Sequence, residues 1–395
     1  MGQMLSTRPI FIKMLPQSYQ NCFQRQLKAG DYLTLQLLIL VLQLHKQVSI
    51  EQLATVLPYP ILFESRRRCI QRFLILREFK IQTLWFPLIK YLLRIHFNKT
   101  RTVTLAIDRT QWREQNIFVV SLIWDKRAIP VYWEILPKRG SSNLSEQQAL
   151  LLPVFKLLKG YKLIILADRE FGSVKLASWL IDKKVGFVLR VKQDRYIKQE
   201  KADFQKLSSL GLIPGTCFYL KNIQFTKQKG FGQFDIASYW QRQYQGKGTG
   251  TSAGWYLLTN LGSTKAAVIA YKKRSGIEAM FKDCKTGGYN LEKSYAINQR
   301  LISLILLIAI AYTCAILAGK KIKQLGLGKY IGRLNELGRI TRRHSSFWVG
   351  LYGQLWIPEI DLFSGLVTQL MQLRRNKLPY FQRGLRAMHL IQSII

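Results

Sequence analysis

Two stretches of sequence decide the fold: TLAIDRTQW at residues 104–112 and LIILADREF at residues 163–171. Each begins with a short run of aliphatic residues, which is typical of a β-strand buried in a sheet. Each run ends at an aspartate, so we expect Asp108 and Asp168 to lie where a strand leaves its sheet. Two aspartates at the ends of neighbouring strands can bind one divalent cation between them. Either aspartate can instead cap the turn that follows it, or join a surface ion pair with its neighbours.

The residues around these stretches predict an α/β domain. Three strands, over residues 103–107, 117–124 and 129–136, are close enough in the chain for an antiparallel meander. The elements that follow are a helix over 146–158, a strand over 163–167, a helix over 173–181 and a strand over 186–189. Helices that alternate with strands in this way form an α/β unit. Residues 190–258 break the rhythm with short strand-like pieces, which predicts a β-rich insertion.

Helical periodicity dominates both ends of the chain. Residues 1–100 combine short helices with a basic helix that carries Arg66, Arg67 and Arg68. This arrangement suggests a helix-turn-helix-like module whose arginines contact DNA. An arginine run on a helix can equally be a solvated face. Residues 321–395 predict a basic helical tail.

The composition indicates a polyanionic partner. There are 60 lysines and arginines against 22 aspartates and glutamates, which gives a formal net charge of +38. A compact body with this charge repels itself unless a polyanion shares its surroundings. Nucleic acid is the partner that the charge favours, with an anionic membrane surface as the alternative. The 5 cysteines and 4 histidines are scattered, which predicts reduced cytosolic thiols and no zinc site.

One uncharged stretch, residues 301–319, is long enough to span a bilayer. A helix buried on all sides in a protein core has the same composition, so the stretch alone leaves both alternatives open. The N-terminus shows no basic start followed by an apolar run, and no secretion signal is predicted.

A third element, YKKRSGIEAMFKDCK at residues 271–285, carries the next carboxylate. On one continuous helix its polar residues would share a stripe of roughly 60°; they are Tyr271, Arg274, Glu278 and Lys285. An exposed ladder of salt bridges is the alternative. A face that joins a carboxylate to a phenol and two cations suits metal and phosphate ligation together. Three carboxylates are what phosphoryl transfer by two Mg²⁺ ions usually needs.

These residues resemble the DDE transposases of bacterial insertion sequences, in the branch with the signature Tyr-x2-Arg-x3-Glu-x6-Lys. The signature stands here at residues 271–285 with every gap kept, after Asp108 and Asp168 in the expected order. The resemblance covers residues 100 to 320 and implies a ribonuclease-H-like core with a β-rich insertion, flanked by helical regions. The implied segments are a DNA-binding region (1–100), the first core part (101–189), the insertion (190–258), the second core part (259–320) and a basic C-terminal region (321–395).

The resemblance also implies the roles of individual residues. Asp108, Asp168 and Glu278 would be catalytic and hold two Mg²⁺ ions, for which Mn²⁺ would substitute. The residues that would contact DNA near the cut are Tyr271, Arg274 and Lys285, with Trp255 holding a flipped base. Trp255 can also be plain core, since the chain has 9 tryptophans. In this family a buried apolar helix commonly follows the glutamate helix, so the resemblance implies no membrane span at 301–319.

The implied function is cut-and-paste DNA transposition. A homodimer would bind the inverted repeats at the transposon ends, cut them, and join each freed 3′ hydroxyl to target DNA, in the cytoplasm at the bacterial nucleoid. Two alternatives stay open. One is a basic membrane-associated protein anchored by residues 301–319, and the other is a nuclease with the same metal site but no joining step.

Overall fold

The structure is a computed structural model that describes residues 15–97, 102–112, 114–199, 203–227, 232–241, 254–337, 343–373 and 375–394. It divides into two compact units, one formed by Met1–Leu88 with Asp283–Ile395 and the other by Ile89–Lys282. Both predicted terminal regions therefore contribute to the first unit, apart from the last residues of the N-terminal one. The five-segment scheme itself stays a prediction.

Ten strands of the second unit form one continuous sheet, and with the helices they confirm a mixed α/β fold. In chain order the strands are β1 (Thr102–Trp112), β2 (Gln115–Trp124), β3 (Arg127–Leu136), β4 (Lys162–Ala167), β5 (Gly186–Val191), β6 (Tyr196–Lys198), β7 (Gln205–Lys206), β8 (Cys217–Phe225), β9 (Gly232–Tyr239) and β10 (Trp255–Thr259). Their spatial order is β3-β2-β1-β4-β5-β10-β9-β8-β6-β7.

The first five strands form the part of the sheet that carries the aspartates. Strands β1, β2 and β3 pair antiparallel, which confirms the predicted meander. Strands β4 and β5 run parallel to β1, with Ile107 opposite Ala167 at the end of the β1–β4 ladder. Aliphatic and aromatic side chains fill nearly every position of β2 and the inner half of β1, because both faces of these strands are covered.

Strand β1 does not end at Asp108, and here the prediction was wrong. The strand continues to Trp112 because residues 109–112 pair with residues 115–118 of β2 in a tight hairpin. Its pairing with β4 does stop at Ile107. Asp108 therefore lies at the edge of the parallel ladder while its backbone stays fixed by the antiparallel one.

Two helices connect the parallel strands, α6 (Leu144–Leu157) between β3 and β4 and α7 (Val174–Asp182) between β4 and β5. Helix α6 begins with a capping box, in which the Asn143 side chain accepts from the Glu146 backbone and Glu146 accepts from the Asn143 backbone. The predicted β-rich segment does contain strands, and β6 to β9 extend the same sheet beyond β10.

The polypeptide from 264 to 284 forms two helices, α8 (Thr264–Lys272) and α9 (Ser275–Cys284), rather than one. At the break, the Arg274 N–H donates to the Tyr271 carbonyl and the Ile277 N–H to the Arg274 carbonyl, which are tighter turns than an α-helix makes. Gly276 allows α9 to approach the β2–β3 hairpin, since a Cβ there would lie 3.1 Å from the Arg127 carbonyl carbon. The expected single helical stripe is therefore wrong, and Lys285 lies beyond the end of α9.

The first unit is helical in both of its chain segments. Its N-terminal helices are α1 (Gln17–Gln24), α2 (Ala29–His45), α3 (Ile50–Val56), α4 (Phe63–Phe73) and the start of α5 (Phe86–His96). Its C-terminal helices are α10 (Asn298–Gln324), α11 (Gly328–Ile331), α12 (Ser346–Trp356), α13 (Pro358–Leu373) and α14 (Leu378–Ile394).

Helix α10 is the centre of the first unit and contains the apolar stretch 301–319. It is the one helix in the described part of the chain that is long and apolar enough to cross a membrane, and 83% of its most apolar window is buried inside the protein. Helix α12 crosses it closely, since a Cβ on Gly319 or Gly350 would overlap backbone atoms of the opposite helix. These properties are those of a core helix.

Candidate active site

Asp108 and Asp168 lie side by side at the carboxyl edge of two parallel strands. Each follows the last pair of the β1–β4 ladder by one residue. Both carboxylates divide their oxygens in the same way. The Oδ1 of Asp108 accepts from the Arg109 N–H at 2.8 Å, and the Oδ1 of Asp168 accepts from the Arg169 N–H at 2.7 Å. These contacts fix the side-chain rotamers. Each aspartate therefore caps the turn that follows it, which was one alternative from the sequence, but only through Oδ1. The Oδ2 of each aspartate faces another group.

The Oδ2 atoms of both aspartates face the guanidinium of Arg274. Its Nη2 lies 3.0 Å from Asp108 Oδ2 and 3.3 Å from Asp168 Oδ2. Its Nη1 donates to Glu278 Oε1, one helical turn further along the chain. The Arg274 side chain is only 9% exposed, whereas that of Glu278 is 61% exposed. One buried cation therefore joins the three carboxylates that the sequence analysis singled out.

The pKa of Asp108 is raised to about 6, mainly because burial disfavours the charged carboxylate. The Arg274 charge and the Arg109 N–H lower this pKa, while the neighbouring Asp168 and Glu278 charges raise it. Burial outweighs the favourable contacts, so Asp108 is a destabilised carboxylate that gains from an additional cation. Perturbed carboxylates of this kind are concentrated at functional sites.

A second ion pair, which was not predicted from the sequence, joins the two turns that carry the aspartates. Arg109 donates through Nε to both oxygens of Glu170 at 2.9 and 3.1 Å and through Nη2 to Oε2 at 2.8 Å. The remaining Nη1 donates to Asn116 at 3.1 Å, and Glu170 also accepts from the Ser142 N–H. Because Arg109 follows Asp108 and Glu170 lies two residues after Asp168, this pair links the motifs DRT and DREF. The recurrence of Asp-Arg in both motifs was the available signal.

Tyr271 and Trp255 form an aromatic wall next to the carboxylates. Their rings meet edge to face at 5.0 Å, and Trp255 begins β10 with its side chain half-buried. The pKa of Tyr271 is raised to about 12, first by burial and then by the Asp168 charge, while Arg274 and Arg190 lower it. Tyr271 therefore stays a neutral hydrogen-bonding phenol. Arg190, on β5, is a second residue of this group that the sequence did not indicate.

The remaining predicted residues belong to the other compact unit. Lys285 pairs with Glu292 at 3.2 Å. On α4, Arg66 donates to the backbone carbonyls of Ala54 and Ile61, so its guanidinium is engaged within the fold. Arg67 pairs with glutamates at positions 51 and 64, and Arg68 is 71% exposed beside Glu64. Of the three arginines, Arg68 is the most accessible to a partner.

The carboxylates of this site are compared with the needs of a divalent cation by the direction of their oxygens. The Oδ2 atoms of Asp108 and Asp168 converge on a single guanidinium nitrogen, which stands where a cation would be held. Carboxylate oxygens are the hard ligands that Mg²⁺ prefers. Among the described residues, no group of three or more His, Cys, Asp or Glu side chains is arranged to hold a metal. The fit to a shared cation thus rests on the two aspartates alone, and Glu278 is joined to them through Arg274.

Comparison with known proteins identifies the class. The family described as transposase DDE domain matches residues 100–314, more than half of the chain, and the chain belongs to this family. It is thus a transposase by family, with the nuclease and transferase chemistry of that class. No curated protein sequence matches it.

The solved structures that match this chain at low similarity include a transposase and an Argonaute. A piggyBac transposase in a synaptic complex with hairpin DNA is 14% identical with a TM-score of 0.42, over 88% of this chain and 77% of that one. An Argonaute from Marinitoga piezophila, in complex with guide RNA and target DNA, is 12% identical with a TM-score of 0.25, over 56% of this chain and 33% of that one.

Proposed function

We propose that this chain is the cut-and-paste transposase of a bacterial insertion sequence, and that it cleaves transposon ends and joins their 3′ hydroxyls to target DNA. One observation carries the proposal: the carboxylates of Asp108, Asp168 and Glu278 meet around Arg274 at the carboxyl edge of a parallel strand pair. The three residues are the catalytic set. The strand order β3-β2-β1-β4-β5 supports a ribonuclease-H-like core for this edge.

Asp108 and Asp168 are proposed as the first two metal ligands, and the contacts around their carboxylates support this. The backbone N–H of the next residue holds one oxygen of each carboxylate, and the Arg109–Glu170 pair holds the two turns together. Mg²⁺ ions, or Mn²⁺ in their place, would be held by Asp108, Asp168 and Glu278 and would supply the activation of the attacking oxygen and the stabilisation of the leaving one. The protein's contribution is to keep its oxygen ligands oriented before DNA arrives.

Arg274 has two kinds of partner in this proposal, the carboxylates of the site and a DNA phosphate. It neutralises the carboxylates, as the distances of 3.0 and 3.3 Å to the aspartates indicate. Its Nε is buried and makes no hydrogen bond within the described residues, so a further acceptor would use this donor only after the side chain shifts. A DNA phosphate is the acceptor that we propose. Tyr271 then contacts the same strand, and Lys285 contacts a phosphate farther along it.

Trp255 is proposed to stack on a flipped base next to the cut. Its ring is half-buried and contacts the rings of Tyr271 at 5.0 Å and Tyr239 at 5.9 Å, so two aromatic side chains support the indole. Aromatic rings that receive bases are commonly held in this way. By resemblance, the N-terminal helices with Arg66, Arg67 and Arg68 recognise the inverted repeats, a homodimer brings two ends together, and the reaction takes place in the bacterial cytoplasm.

Cleavage of the DNA that flanks the gene tests the proposal. The purified protein should nick its own terminal repeats in Mg²⁺, and Asp108→Ala, Asp168→Ala or Glu278→Ala should each abolish the nick while binding to the ends remains. The matched control is Asp194→Ala, which removes an exposed aspartate of the same unit. Nicking by the Glu278→Ala protein at the parental rate would remove Glu278 from the catalytic set. Nicking without any joined product would identify a nuclease instead.

A further inference from the structure

A basic cavity of about 670 Å³ lies in the second unit, away from the carboxylates. The ends of α5 and α6 and the residue before β4 line it. Its polar and aromatic lining consists of Lys90, Arg94, Phe97, Lys156, Lys159 and Tyr161. No acidic side chain is among the residues that line it. The cavity is therefore a concentration of positive charge with aromatic walls.

Among the residues that the structure describes, the four cations of this cavity have no acidic partner. Lys90 and Arg94 are four residues apart on α5 and so share one face of the helix. Within the part of the chain that the structure describes, none of the four forms a salt bridge, and the one contact of Arg94 is with the ring of Tyr91 at 5.6 Å. Like charges at this spacing destabilise an isolated helix. An external anion would relieve this repulsion.

Helix ends explain only part of this charge. Cations in the last turn interact favourably with the carboxyl-terminal end of the helix dipole, and Arg94 and Lys156 occupy such positions. Lys90 lies a turn earlier on α5, and Lys159 lies beyond the end of α6. No contact among the described residues gives these two lysines a structural role.

The cavity and the carboxylates lie at opposite ends of the same strand. Tyr161 precedes β4 (Lys162–Ala167), and Asp168 follows it. Six residues of strand at about 3.3 Å each separate the two sites by about 20 Å. This is the length of about six base pairs at 3.4 Å per step. If the duplex that is cut at Asp168 also reaches the cavity, it does so with a segment several base pairs from the cut. A second duplex is the other possible occupant.

We propose that this cavity binds the phosphate backbone of duplex DNA at a distance from the cleaved bond. The proposal rests on the proposed function, because a transposase must hold DNA on more than the strand it cuts. Phosphates recognise lysine and arginine without regard to sequence. The four exposed cations supply that recognition, and Phe97 and Tyr161 provide apolar walls that exclude water around it.

Salt dependence of DNA binding tests this site without knowledge of the transposon ends. Lys90→Ala with Arg94→Ala, and Lys156→Ala with Lys159→Ala, each remove two cations, and binding is measured on a duplex of random sequence from 50 to 300 mM KCl. The association constant K falls with salt, and each phosphate contact contributes about −0.9 to the slope of log K against log[salt]. Loss of two contacts should therefore make this slope less negative by about 2. At 150 mM salt this corresponds to roughly 30-fold weaker binding.

The control pair is Lys221→Ala with Lys265→Ala, which removes two exposed lysines of the same unit outside the cavity. The proposal would be overturned if both cavity pairs kept the parental slope of log K against log[salt]. It would also be overturned if the control pair changed this slope by the same amount as the cavity pairs. If an alanine pair fails to fold, glutamine at the same positions keeps the polar surface and carries the same expectation. Loss of binding to anionic phosphatidylserine vesicles with DNA binding intact would also overturn it. This assay measures DNA binding and not cleavage. A wrong assignment of the catalytic carboxylates would therefore leave its result unchanged, and the two failures can be distinguished.

Discussion

Asp108→Asn should make the protein more stable at neutral pH while it abolishes catalysis. An unfolded aspartate loses its proton near its ordinary pKa of 3.8, whereas the folded Asp108 keeps it to about pH 6. Between these values the folded state binds more protons, so the stability of the parent falls as the pH rises. At about 1.36 kcal/mol for each pH unit, the cost of the charged carboxylate is about 3 kcal/mol at pH 7.5 and about 1 kcal/mol at pH 4.5.

The asparagine variant does not titrate and escapes this cost. Its amide can keep only one of the two hydrogen bonds that Asp108 makes, to the Arg109 N–H and to Arg274, which costs about 1 kcal/mol. The variant should therefore match the parent at pH 4.5 and exceed its free energy of unfolding by about 2 kcal/mol at pH 7.5. Catalytic carboxylates commonly carry a stability cost of this kind.

Hydrogen exchange of β1 and β4 peptides during urea titration, in EDTA, measures this difference within the second unit. Asp194→Asn is the matched control, since its side chain is exposed, and it should follow the parent at both pH values. A stability difference between Asp108→Asn and the parent that does not change with pH would refute the reasoning, because burial of a charged carboxylate would then not be the cause.

Three further predictions concern other parts of the structure. Glu170→Gln should destabilise the second unit by about 2 kcal/mol, and a double-mutant cycle with Arg109→Gln should show coupling; additive effects would contradict the ion pair. Gly350→Ala should lower the free energy of unfolding of the first unit by about 3 kcal/mol, since its Cβ would overlap the Ala315 carbonyl; an unchanged urea midpoint would contradict the close helix crossing. Trp255→Ala should weaken binding of cleaved ends by about 1–3 kcal/mol, whereas Trp255→Phe should retain most of it.

The strands and the aspartate pair were predictable because they depend on local pattern. An aliphatic run that ends in aspartate marks the edge of a buried strand, and parallel pairing then brings Asp108 beside Asp168. The exact end of β1 was not predictable in this way. Its last residues are held by β2, and pairing with a later strand is not visible in the residues of the first.

The helix break at Arg274 escaped prediction for a related reason. The spacing of Tyr271, Arg274 and Glu278 fits one helical stripe, and nothing in these residues alone indicates that α9 would begin anew and approach the β2–β3 hairpin at Gly276. At the break, the Arg274 guanidinium contacts both aspartates as well as Glu278. Contacts between residues 166 positions apart, such as Arg274 with Asp108, require the tertiary fold.

Transfer of a labelled 3′ end is the most direct test of the central claim. Duplex DNA that carries the terminal repeats flanking the gene is incubated with purified protein, Mg²⁺ and a supercoiled target plasmid. We predict that the label appears in plasmid joined to the repeat ends, and that Asp168→Asn protein binds the repeats but yields no labelled plasmid. Labelled plasmid from the Asp168→Asn protein would contradict the carboxylate assignment, and cleaved repeats without labelled plasmid would contradict the transposase.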